Sequence, residues 1–111
     1  MFVSGDHLFT GSFNKIAKMW DVSTGNEVRT FSGHGGIVYS VFVSGDYLFT
    51  GSMDKTAKMW NVSTGDLIKT FSGHRDRVYS VFVSGDRLFT GSWDNTAKMW
   101  EIESGSEGEG F

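Results

Sequence analysis

Leu48-Phe49-Thr50-Gly51-Ser52-Met53-Asp54-Lys55-Thr56-Ala57-Lys58-Met59-Trp60 is one of three versions of the same stretch, which also runs from Leu8 to Trp20 and from Leu88 to Trp100. The tryptophans fall at 20, 60 and 100, so the period is 40 residues without slippage. A fixed period of this size is the signature of a repeat architecture. Within each copy, two short strands flank a tight polar turn. Leu, Phe and Thr fill the first, and Ala and Met alternate with Lys and Trp in the second.

Two further strands complete the unit. Upstream of the middle copy lies Val38-Tyr39-Ser40-Val41-Phe42-Val43, and Ser44-Gly45-Asp46 joins it to the next strand by a hairpin. Gly accepts a positive φ there without steric cost. This first strand is nearly all apolar and is expected to be buried on both faces. Phe2-Val3 matches the end of that strand, so the chain begins inside a repeat. In the first copy the strands are expected at about His7–Ser12, Ile16–Val22 and Glu27–Phe31, with turns at 13–15 and 23–26. Four short antiparallel strands every forty residues predict an all-β fold, a β-propeller of four-stranded blades. The blades are expected at 1–31, 32–71 and 72–111. The first lacks the Gly-His loop and the front of its innermost strand. The last has a weak outer strand at 106–111, where Glu and Gly replace apolar residues and suit an edge that must not recruit partners; the alternative is a frayed tail, since Gly costs strand stability.

Composition narrows the function. The net charge of −3 and the lack of a basic run argue against a nucleic-acid surface. The chain has no Cys, hence no disulfide and no thiolate metal site. No stretch is apolar for long enough to span a bilayer, and residues 1–6 lack the features of a signal peptide. The expectation is an intracellular protein, cytoplasmic or nuclear, without membrane partner.

With Gly33-His34, Asp54 and Trp60-Asn61 in register with Gly73-His74, Asp94 and Trp100-Glu101, and with Trp20-Asp21 giving the literal pair, the chain resembles the WD-repeat β-propellers. It departs at Asn14, where the other copies have Asp, and at Asn61 and Glu101, where Asp follows Trp only at 21. The resemblance implies a buried hydrogen-bonded set in each complete blade: His34, Thr50, Asp54 and Trp60, then His74, Thr90, Asp94 and Trp100. Ser52 and Ser92 are rivals for the hydroxyl role. Buried carboxylates and indoles need partners, so such a set makes chemical sense.

Thr, His and Asp are also ingredients of nucleophilic catalysis. Here the trio recurs in each complete blade, a Thr replaces the nucleophilic Ser, and no Gly-x-Ser-x-Gly elbow exists, so the chain reads as no enzyme. His34 and His74 are also candidate metal ligands, but the chain has only three His and His7 is replaced by Tyr47 and Arg87 in the other copies, which argues against a metal site. No cofactor is expected.

The repeats differ mainly at turn tips. Phe13, Met53 and Trp93 are equivalent, and the loop Gly35-Gly36-Ile37 corresponds to Arg75-Asp76-Arg77. Large apolar groups at exposed tips mark contact sites. The resemblance places these positions, with Tyr39 and Tyr79, on the face that binds partners. Phe13, Met53, Trp93, Tyr39, Tyr79, Ile37, Arg75 and Arg77 are therefore the candidate protein- or peptide-binding residues. Lys18, Lys58 and Lys98 read as solvated strand-face residues.

Three blades leave two blade faces bare. If each holds roughly 500 Å² of apolar surface, covering one is worth about 12 kcal/mol gross, against an association cost of about 4–15 kcal/mol. Head-to-tail pairing of two chains would give six blades, and of three chains nine. The reading is a non-enzymatic scaffold for protein–protein interaction that completes its ring by self-association. Its alternatives are a purely structural self-assembling module or a sector of a larger propeller, and a sugar-binding propeller.

Overall fold

The structure, a computed structural model, describes residues 1–103 and the backbone of 107–110. Strands alternate with two kinds of turn, and each group of four forms one antiparallel meander. The first sheet holds β1 (Phe2–Ser4), β2 (His7–Gly11), β3 (Ile16–Asp21) and β4 (Glu27–Ser32). The second holds β5 (Val38–Ser44), β6 (Tyr47–Ser52), β7 (Thr56–Asn61) and β8 (Leu67–Ser72). The third holds β9 (Val78–Ser84), β10 (Arg87–Ser92), β11 (Ala97–Glu101) and β12 (Glu107–Gly110). Together they form an all-β sector of a propeller.

Turn chemistry sets the meander. Gly45 joins β5 to β6 at φ 59°, a left-handed conformation that a side chain disfavours. The turn between the second and third strands is different. Its left-handed residue is Lys15, Lys55 or Asn95, at φ 71–76°. Only Asn is well suited to that region, so the two lysines carry a conformational cost.

Within a blade, alternation sends Ala57 and Met59 towards the following blade and Lys58 and Trp60 towards the preceding one. Two cores result, each lying between blades. Phe9, Ala17, Met19 and Phe31 of the first blade pack on Val38, Val41, Val43, Leu48 and Trp60 of the second. The equivalent residues one period on form the next core, from Phe49 and Met59 to Leu88 and Trp100. Trp60 and Trp100 meet Phe31 and Phe71 edge-on, at centroid distances of 5.9 and 5.7 Å. Along the innermost strands, Phe2, Phe42 and Phe82 form a ladder with spacings of 4.8 and 5.1 Å. At the outer rim Arg29 Nη1 donates to the Val62 carbonyl of the next blade at 2.8 Å, and Lys69 Nζ donates to the Ile102 and Glu103 carbonyls.

Two expectations need correction. The innermost strands are not buried on both faces. Val38, Val41 and Val43 are buried, but Tyr39, Ser40 and Phe42 are only half-buried, and in β9 Tyr79, Ser80 and Phe82 are exposed. The reason is position: the second face of β5 is only partly covered, by β9 of the following blade, and that of β9 meets no further blade among the described residues. Nor are the three lysines alike. Lys58 is 8% exposed, with Nζ 2.9 Å from Thr70 Oγ1, because blades stand on both sides of it. Lys18 pairs with Glu27 at 2.6 Å. The strand expected at 106–111 contains β12, which pairs with β11 through Lys98↔Gly110 and Trp100↔Glu107. Ser106 and Phe111 lie outside the described residues.

Candidate functional site

Four elements converge on His34. It sits in the loop after β4, Thr50 is on β6, Asp54 is in the β6–β7 turn and Trp60 is on β7. His34 Nδ1 lies 2.8 Å from Asp54 Oδ2, and Nε2 lies 2.6 Å from Thr50 Oγ1. Trp60 Nε1 donates to Thr50 Oγ1 at 2.9 Å. The carboxylate can only accept, so Nδ1 carries the proton and Nε2 accepts from the Thr50 hydroxyl. The chain of donors runs one way, from indole through hydroxyl and imidazole to carboxylate. Asp54 also accepts from the Gly35 N–H at 2.9 Å and from the Thr56 N–H and hydroxyl at 2.9 and 2.6 Å.

Burial pushes the Asp54 carboxyl up, but the hydrogen bonds from His34, Thr56 and Gly35 outweigh it and hold it well below the usual carboxylate range. The third blade repeats the set, with His74 at 3.0 Å from Asp94 and 2.7 Å from Thr90, and Trp100 at 2.9 Å from Thr90. At Asp94 burial again pushes up, and Thr96, the Arg75 N–H and His74 hold the carboxyl low. In both sets the hydroxyl is buried and already accepts from an indole, which leaves no approach for a substrate. What the set does is tie a loop to two strands.

Ser52 and Ser92 do a different job. Ser52 Oγ donates to the Gly36 carbonyl at 3.1 Å and accepts from the Asp54 N–H at 3.2 Å. Ser92 treats Arg77 and Asp94 in the same way, at 2.9 and 3.1 Å. The first blade holds a reduced version. Trp20 donates to Thr10 at 3.0 Å, Ser12 bonds Asn14, and Ile16 stands where Thr56 and Thr96 hold the carboxylates.

The turn tips lie next to these sets. Phe13 is 83% and Trp93 56% exposed; Met53, Tyr79 and Arg75 are exposed too. Ile37 is half-buried. Three residues form one cluster across two blades. The Arg77 guanidinium lies 4.2 Å from the Trp93 ring centroid and 5.9 Å from that of Tyr39, and Arg77 Nη1 donates to the Tyr39 hydroxyl at 3.0 Å. Asp76 approaches the same guanidinium at 3.7 Å. Phe13, Met53 and Tyr79 stand apart from this cluster. Sequence reasoning passed over Arg29 and Lys69, the donors that stitch neighbouring blades. The signal was a cation held at one repeat position in two copies. Among the described residues no group of three or more His, Asp or Glu is placed to hold a metal, and no helix is long and apolar enough to cross a membrane.

The family model described as "WD domain, G-beta repeat" matches residues 25–61 and 65–101, about two thirds of the chain. This chain belongs to the WD-repeat family. Among curated proteins, "Dynein assembly factor with WD repeat domains 1" of Xenopus laevis and of Homo sapiens are each 40% identical to it over 38 residues. That stretch is 34% of this chain and 9% of theirs, so the match spans under a tenth of the curated relatives' length. Among solved structures, the computationally designed Ika8 protein superposes with a TM-score of 0.90 at 25% identity, over 99% of this chain and 35% of that one. WD repeats generally build protein-interaction scaffolds rather than enzymes. In these WD repeats the hydrogen-bonded sets are internal, and the tip residues that vary between copies, Phe13, Met53 and Trp93, are exposed.

Proposed function

We propose that this WD-repeat chain is a non-enzymatic scaffold that holds a protein or peptide partner on the face bearing Phe13, Met53 and Trp93, in a ring completed by head-to-tail self-association. The observation that carries the reading is the cluster of Tyr39, Arg77 and Trp93. Trp, Tyr and Arg are the residue types that dominate binding energy at protein interfaces. Here the guanidinium is held by the Trp93 ring and by the ring and hydroxyl of Tyr39 before any partner arrives, so little side-chain entropy remains to be lost on binding. Trp93 keeps more than half of its surface open beside it. Arg75 and Arg77 give the third blade's tip a cationic character, which favours an acidic partner segment. The net charge of −3 supports the reading of a partner other than nucleic acid. An intracellular setting belongs to the same reading.

The test is an array of immobilised acidic, neutral and basic peptides probed with the wild-type chain and with Trp93→Ala and Arg77→Ala. Acidic peptides containing an aromatic residue are expected to bind, and each substitution is expected to weaken that binding at least tenfold, about 1.4 kcal/mol or more. Retention of binding by both variants would remove the cluster from the partner site.

A further inference from the structure

The burial of equivalent residues depends on their place in the chain. Val43 and Val83 are 9% and 7% exposed, but Val3, at the same repeat position, is 59% exposed. Leu48, Leu88, Trp60 and Trp100 are buried, whereas Leu8 and Trp20 are half-buried. On the opposite side of a blade, Phe49 and Met59 are buried, whereas Phe89 and Met99 are half-buried. Phe42 meets Phe82 edge-on, while Phe82 itself is 54% exposed. The first blade thus presents one half of an inter-blade core, and the third blade presents the other half.

We infer that these two open faces close on each other between copies of this chain, with Phe82, Phe89 and Met99 of one copy packed against Phe2, Leu8 and Trp20 of the next. The inference rests on the ring-completing part of the reading above and supplies its residues. The occupant is argued from the contact that the chain already makes twice within itself. Both internal cores join these same repeat positions. The ladder Phe2–Phe42–Phe82 ends on an exposed ring at one side and starts from a half-buried one at the other, so a second copy extends it by a step of the same kind. Every copy carries one of each half. The contact is therefore heterologous, and it closes into a ring where the rotation allows.

Val3 and Phe82 are exposed in the single chain, so charging them leaves each blade's own core intact. Val3→Arg blocks one face and Phe82→Arg the other. Light scattering behind a sizing column is expected to show a discrete oligomer for the wild type and a monomer of 12.3 kDa for each variant. An equimolar mixture of the two variants retains one good face on each partner and is expected to give a dimer of twice that mass. A monomeric wild type overturns the ring-completing reading and this inference together. A wild-type oligomer that survives Val3→Arg or Phe82→Arg, or a mixture that stays monomeric, overturns the residue assignment and leaves ring completion standing.

Discussion

Replacing Thr50 by Val keeps the shape of the side chain and removes one oxygen. That oxygen is fully buried and serves two buried partners, the Trp60 indole at 2.9 Å and the His34 ring at 2.6 Å. Neither partner can reach water once the hydroxyl is gone, because Trp60 is 1% exposed and the His34 side chain is also 1% exposed. Each orphaned buried group costs about 1–3 kcal/mol, so Thr50→Val is expected to lose roughly 2–6 kcal/mol. Against a domain stability of about 5–15 kcal/mol that is a large fraction. Thr10→Val is the same chemical change in the first blade. Thr10 serves Trp20 at 3.0 Å, both residues are half-buried, and water can replace the hydroxyl. It is expected to cost under about 1 kcal/mol. Thr50→Ser keeps the oxygen and deletes one buried methyl group, at about 1 kcal/mol. The assay is urea unfolding at one fixed protein concentration, followed by tryptophan fluorescence and far-ultraviolet circular dichroism, because assembly makes apparent stability concentration-dependent. The reasoning fails if Thr10→Val costs as much as Thr50→Val, or if Thr50→Val and Thr50→Ser are indistinguishable.

Two further outcomes follow from the same geometry. The Asp54 and Asp94 carboxyls are held low in the folded chain, so the stability they contribute is present above their unfolded value of about 4 and is lost as pH falls from there towards the folded values; urea midpoints measured across that window are expected to decline for the wild type and to flatten in Asp54→Asn/Asp94→Asn. An alanine Cβ at Gly51 would lie 2.9 Å from Val78 Cγ1 and 3.0 Å from its carbonyl oxygen, whereas at Gly91 nothing stands closer than 3.6 Å. Gly51→Ala is therefore expected to cost about 1–3 kcal/mol and Gly91→Ala to be neutral or stabilising by up to about 1 kcal/mol, as read from thermal unfolding.

The period of 40, the two strands around each polar turn and the Gly-based hairpins are local properties, and local properties are legible in one sequence. Gly45 at φ 59° is the case in point: the turn that needs it lies within two residues of it. The set of His34, Thr50, Asp54 and Trp60 was legible through the family resemblance, since each member recurs at a fixed offset. Lys58, by contrast, was misread. Its burial depends on blades on both sides, and nothing in its own repeat distinguishes it from Lys18. The apolar innermost strand was misread for the same reason, because its second face is covered only where a following blade lies against it.

The sequence by itself determined the repeat, the strand order within a blade and the turn chemistry, because each follows from alternation and φ preference over a few residues. Only the tertiary structure decided which copies are buried, that Arg77 reaches back 38 positions to Tyr39 while lying over Trp93, and that Arg29 and Lys69 bind carbonyls of the following blade. Those contacts run side-on between blades, at separations set by how one sheet leans on the next, and the periodicity within a blade carries no record of that angle.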